Sequence, residues 1–177
     1  MEVTQRELWT VIHGMVLGAI FLLAFTGGLA ELYALRPQWE TNTGISKGAS
    51  RMRIGMWVMV LAVWGAVFTG AFLVYPWYRA AAPQGATDLS LFPKLLLLAK
   101  ESTAGWHNFG MEWKEHVAWI APIIGTVVAS VVWTYGSQLS GNNKLRRWLM
   151  WFFFVAFAVA GIAGLFGAFI TKAAPVH

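Results

Sequence analysis

The stretch GWHNFGMEWKEH, residues 105 to 116, sets His107, Glu112, Lys114, Glu115 and His116 at the head of one of the most apolar parts of the chain. Imidazole and carboxylate groups ligate metals, carry protons near neutral pH and, for imidazole, hold a haem iron from its axial side. Glu112 and His116 are four residues apart and fall on one helical face, with Glu115 beside them. His107 lies nine residues before His116, about half a turn round a continuous helix, so a single helix does not aim both rings at one point. His13 stands elsewhere, about one turn inside the first apolar segment and next to Gly14. His177, the last residue given, is expected to be unordered.

The elements that must position these groups follow from composition. Hydrophobic residues make up 58% of the chain and charged residues only 12%, far from the balance of a soluble domain. The chain reads as a membrane protein. Four segments, about 8–30, 54–75, 117–135 and 148–171, reach the ~20 apolar residues that cross a hydrocarbon core. The run KLLLLAK at 94–100 is too short to cross and is expected at the interface or packed on the helices. The expected fold is all-α: a single integral membrane domain over 1–177, a four-transmembrane-helix up-down antiparallel bundle with an outer loop at 79–104. Aromatic residues support the span ends, YPWYR at 75–79 closing the second and Trp113, Trp119, Trp133, Trp148 and Trp151 flanking the third and fourth. SGNNK at 140–144 is a turn cluster, which makes spans three and four antiparallel neighbours.

Small residues predict where helices approach closely. Gly14 and Gly18 form a G-x-x-x-G pair, and Gly161, Gly164 and Gly167 recur every third residue in the fourth span. Beside His13 such glycines also leave room for a flat macrocycle. Arg36, Lys47, Arg51 and Arg53 in one loop, and Lys144, Arg146 and Arg147 in another, predict that both loops are cytoplasmic. Both termini and the 79–104 loop then face the periplasm across the inner membrane of a bacterium. The first span is too long for a secretory signal and lacks an A-x-A-like site, so it is expected to be retained.

Spans one and three both start on the outer side, so His13 and His116 are expected in one layer. In an up-down bundle those spans are diagonal, the separation at which two imidazoles ligate opposite faces of one haem. Ionisable groups at membrane depth are costly and count as functional candidates. The absence of cysteine excludes disulfides, iron–sulfur ligation by this chain, thiolate zinc and c-type haem attachment. The leading expectation is therefore one haem b near the outer face, ligated by His13 and His116, with Gly14 and Gly18 giving it room. Arg79, Lys114 and Lys172 would meet its propionates, and Trp106, Trp113 and Tyr78 would pack on its edge.

At the level of architecture the four spans resemble the small four-helix cytochrome b subunits of respiratory oxidoreductases. That resemblance implies a subunit of a larger membrane complex that exchanges electrons with a quinol or an outer redox partner. Those subunits often hold two haems on four intramembrane histidines, whereas this chain has two well-placed ones. A second reading puts non-haem iron, copper or zinc on His13, His116 and Glu112, with Glu115 or His107 added, although the order Glu-x-x-Glu-His departs from the Glu-x-x-His of di-iron bundles. A quinol site would use the same groups, His116 taking the proton and Glu112 or Glu115 passing it outward. A third reading is a cofactor-free structural subunit whose tryptophan and glycine faces dock on a larger complex. Blander roles compete throughout: packing histidines at 13 and 116, an interfacial His107, Glu112 and Glu115 solvated or paired with Lys114, Arg79 or Lys172, Glu31 paired with a loop arginine, and Met15, Met56, Met59 and Met150 as packing residues. The partners expected are the lipid bilayer, other subunits and quinone. The basic pI near 9.8 comes from membrane-protein loops and implies no nucleic acid.

Overall fold

A computed structural model describes the backbone of residues 3–36 and 42–176, and the side chains of all of these but 42–46. His177 lies outside the described residues, so its expected disorder has no structural counterpart. Every regular element among the described residues is helical. Four helices are long and apolar enough to cross a membrane: α1 Gln5–Ala34, α2 Lys47–Tyr78, α4 Glu101–Ser140 and α5 Asn143–Ala173. A short α3, Pro93–Leu98, precedes α4. All four long helices extend past the spans expected from hydropathy. The backbone must satisfy its own polar groups near lipid, so helices continue through polar residues beyond the apolar window.

Local chemistry sets the helix ends. Thr4 Oγ1 accepts from the Glu7 amide at 3.2 Å while Glu7 Oε2 accepts from the Thr4 amide at 2.8 Å, a reciprocal cap that starts α1. Asn142 Oδ1 accepts from the Leu145 amide at 3.0 Å and starts α5 in the same manner. Between α2 and α3 the chain turns at Gly85, whose φ of 79° is natural only for glycine. In this segment Asp88 Oδ1 accepts from the Ser90 amide at 2.9 Å, and that bond holds its carboxyl below the ordinary range.

The chain divides into two compact units, and each long helix contributes to both. Unit 2 comprises 19–64 and 120–159. Its core is aromatic and sulfur-rich: Phe153 is fully buried with its ring 4.5 Å from that of Phe25, which in turn stacks on Phe157 at 4.2 Å. Met56 and Met59 are fully buried and Met150 partly so, the packing role expected of them, whereas Met15, given the same role, is 70% exposed. Gly28 and Gly125 make room for the methionine ends: a Cβ at Gly28 would lie 3.2 Å from Met56 Cε, and one at Gly125 would lie 3.3 Å from Met59 Cε. Trp64 Nε1 donates to Thr126 Oγ1 at 3.0 Å, and Glu31 pairs with Arg51 at 2.9 Å, as its position predicts.

Unit 1 comprises 1–18, 65–119 and 160–177. The leucine run forms α3 and supplies Leu97, fully buried against Tyr78, Met111, Ile170 and Ala174. Large apolar side chains stay exposed in both units, Phe72 and Leu165 in unit 1 and Leu23 in unit 2. On helices of this length an exposed apolar surface of that kind is what a bilayer covers.

Candidate functional site

Unit 1 has a feature with no counterpart among the described residues of unit 2: its helices are interrupted by four π-helical turns, Ile12–Val16 in α1, Gly70–Val74 in α2, and Trp106–Met111 and Trp113–Val117 in α4. A π turn widens the helix by one residue and commonly marks a functional site. These four carry His13, His107, Lys114, Glu115 and His116, five of the ionisable groups singled out by sequence. Wherever a π turn intervenes, the phase between His107 and His116 departs from that of a regular helix. The outcome is still two different faces, His107 being 8% exposed and the His116 side chain 70% exposed.

His13 Nδ1 lies 2.7 Å from the Ala66 carbonyl oxygen and 3.3 Å from Thr69 Oγ1. A carbonyl only accepts, so Nδ1 carries the proton and Nε2 keeps its lone pair. The ring rests against Gly70, where an added Cβ would stand 2.7 Å from Cε1. Gly70→Ala is accordingly expected to push the ring off Ala66 and to destabilise the protein by about 1–3 kcal/mol. A thermal melt of the variant in detergent checks this, and an unchanged midpoint would show that the imidazole is not held there. The corresponding change at Gly167 is milder. Its added Cβ would meet only Lys114 Nζ, at 2.8 Å, and the end of a flexible chain moves easily.

Lys114 is half-buried, and its ammonium donates to the Ala163 carbonyl at 3.3 Å. Its charge is close enough to His13 to act on it. Next in sequence, Glu115 has one carboxylate oxygen, Oε1, enclosed and without a hydrogen-bond partner among the described residues. Its charge acts on Tyr75, Tyr78 and His107 together. Tyr78 and His107 share a hydrogen bond of 2.8 Å between the hydroxyl and Nδ1, both side chains being buried. Tyr75 accepts from Arg79 Nη1 at 2.6 Å. The result is a cluster of carboxylate, guanidinium, two phenols and an imidazole, backed by Trp106 stacked on Phe169 with centroids 4.8 Å apart.

The other expected site residues fall outside this cluster. His116 Nδ1 turns back to its own helix, 3.1 Å from the Glu112 carbonyl and 3.3 Å from Glu112 Oε2, both side chains being largely exposed. Its Nε2 is therefore also left with a lone pair, yet no polar contact joins it to His13. His107, by contrast, belongs to the cluster and is buried against Tyr78. Gly14, Gly18, Gly161 and Gly164 have no heavy atom within 4 Å of an added Cβ, so these glycines are not close-contact positions among the described residues. Trp113 packs edge-on to Phe166, and Lys172 is exposed. Among the described residues no group of three or more His, Asp and Glu side chains comes together to hold a metal ion.

Sequence reasoning passed over the Tyr78–His107 pair and the seats of His13 and Lys114. The available signal was a glycine, Gly70 or Gly167, in a span that also faces a polar residue. No family model, curated protein or solved structure matches the chain.

Proposed function

We propose that this chain is a membrane-embedded electron-transfer subunit that receives the protons of a quinol at the ionisable cluster of unit 1, within four antiparallel spans of a bacterial inner membrane. One observation carries the reading: the enclosed, unpartnered oxygen of Glu115 beside two phenols and an imidazole, on helices that bend out of α geometry where those groups stand. Ionisable groups are retained at membrane depth chiefly where they bind or move something. A quinol is apolar enough to arrive from the bilayer, and on oxidation it releases two protons and two electrons. Glu115 is suited to accept one proton. The Tyr78–His107 pair is suited to hydrogen-bond the other oxygen of the headgroup and to relay its proton.

The electrons require a redox centre, and the geometry of His13 favours a second, compatible reading in which haem b is that centre. An imidazole whose Nδ1–H is tied to a backbone carbonyl presents Nε2 as a ligand in a fixed orientation. Haem would supply a one-electron acceptor there. Two axial histidines suit this chain better than the three or more ligands a non-haem iron, copper or zinc site would draw from it, although His116 would have to turn inward from its exposed position to serve as the second.

The test is made on protein purified from membranes. Adding decylubiquinone should quench the fluorescence of Trp106 and Trp113 saturably, and the reduced-minus-oxidised spectrum should show a b-type band that is lost in His13→Ala. Quenching that only rises linearly with quinone would sink the quinol reading. A featureless spectrum would remove haem from this chain and leave the electrons to a partner subunit.

A further inference from the structure

The charge of this protein is not evenly divided. Unit 1 contains six Lys and Arg against six Asp and Glu, whereas unit 2 contains seven (Arg36, Lys47, Arg51, Arg53, Lys144, Arg146, Arg147) against two glutamates, so the whole formal charge of +5 belongs to unit 2. Within unit 2 these bases gather where α1 ends, α2 begins and the turn 136–142 leads into α5. Most of the arginines are accounted for. Arg51 pairs with Glu31, Arg146 donates to the Leu35 and Ser140 carbonyls and to Asn143 Oδ1, and Arg36 lies over the Tyr33 ring at 4.2 Å.

Arg53 differs. Its guanidinium packs into the notch left by Gly136, where any added Cβ would clash with it, and its Nε is enclosed. Among the described residues it makes no hydrogen bond and no ion pair. Guanidinium does not lose its proton, so a half-buried guanidinium whose enclosed Nε–H has no acceptor is unfavourable unless an anion completes it. The nearby short turn Gly136–Ser140 is bounded by Arg53 at its first residue and by Arg146 at its last. Among the described residues this end of the unit therefore presents fixed positive charge with no carboxylate left over, since Glu31, the one described acid of unit 2, is already paired with Arg51.

We propose that this basic end binds the phosphate of an anionic phospholipid, with Arg53 as the bidentate donor. The headgroup phosphate supplies two oxygens in the plane of the fork, and a planar guanidinium matches them where a lysine would not. A phospholipid is the fitting source because its acyl chains lie along the same apolar helices and the negative charge of the leaflet concentrates at their ends. The assignment is independent of the quinol reading, which concerns unit 1 alone.

The experiment is native mass spectrometry of the whole protein released from detergent, after exchange with phosphatidylglycerol, phosphatidylcholine or inorganic phosphate. The wild type should retain phosphatidylglycerol in preference to phosphatidylcholine, and Arg53→Gln should weaken that retention about tenfold, the loss of one charge-assisted contact. Arg53→Lys should restore it only in part. Arg51→Gln, which removes an arginine already committed to Glu31, should retain the lipid. If Arg53→Gln does not fold, Gly136→Ala serves in its place, because its methyl displaces the guanidinium without removing charge. Equal retention of both lipids, equal loss in the Arg51 and Arg53 variants, or adducts with inorganic phosphate that match those with phosphatidylglycerol would each overturn the proposal.

Discussion

Glu115→Gln is expected to lower quinol-driven electron flow through this subunit by about 10²- to 10⁴-fold, the usual contribution of a positioned proton acceptor. The amide keeps the size and the hydrogen-bonding shape of the side chain but takes no proton. The enclosed Oε1 is the reason for so large an expectation: that oxygen has no hydrogen-bond partner among the described residues, while the carboxylate is hydrogen-bonded to the Tyr75 hydroxyl and stands within electrostatic reach of Tyr78 and His107. Glu112→Gln provides the contrast, because its side chain is largely exposed and paired with His116. That change should cost little. The assay is quinol oxidation in native membranes, compared with membranes that lack the chain. Equal losses in the two variants would mean that the site is not at Glu115. Full activity in Glu115→Gln would end the proton-acceptor role outright.

Phe153→Ala should be the most destabilising single change in unit 2, at about 3–5 kcal/mol. Phe153 is fully buried, stacks on Phe25 and closes over Gly28, so neither neighbour has a ready way to fill the space. A thermal melt in detergent followed by helical circular dichroism should drop by roughly 10 °C. Phe154→Ala is the matched control: its neighbour on the same helix is half exposed, faces the surroundings and should shift the midpoint by little. Comparable shifts for both would show that the aromatic stack does not hold this unit together.

Much of the fold was legible before any coordinates. Four apolar segments imply four long helices because composition over about 20 residues decides membrane partition without reference to neighbours. The helices run past those segments, since hydropathy marks the hydrocarbon core whereas α1 begins in a capped polar turn and α4 begins at Glu101. KLLLLAK was rightly kept out of the spans, and Leu97 shows what it does instead. The site was legible as a set of residues and not as an arrangement. The sequence names His107, Lys114, Glu115 and His116, yet that the first three are wholly or partly enclosed and His116 is exposed goes with two π turns that have no sequence signature. The glycines divide for a related reason: of Gly14, Gly18, Gly161, Gly164 and Gly167, Gly167 alone has a side chain of the described residues against it. A G-x-x-x-G spacing says that a close approach is possible, while the glycines that are used, Gly70 under His13, Gly136 under Arg53 and Gly167 under Lys114, are known only from what comes to rest on them.

The sequence by itself determined that the protein is helical, that it carries four segments fit for a bilayer, that no cysteine chemistry is open to it, and that its histidines and glutamates cluster towards particular helix ends. Each of these is a property of composition or of spacing along one helix, where every residue acts through its own partition energy or its own turn. Only the tertiary structure decided which nitrogen of His13 holds the proton, that His107 is buried against Tyr78 while His116 faces outward, that an oxygen of Glu115 is left without a donor, and that Arg53 has no acceptor among the described residues. Those are facts about pairs of residues far apart in the chain, and hydrogen bonds and desolvation act on such pairs only once packing has brought them together.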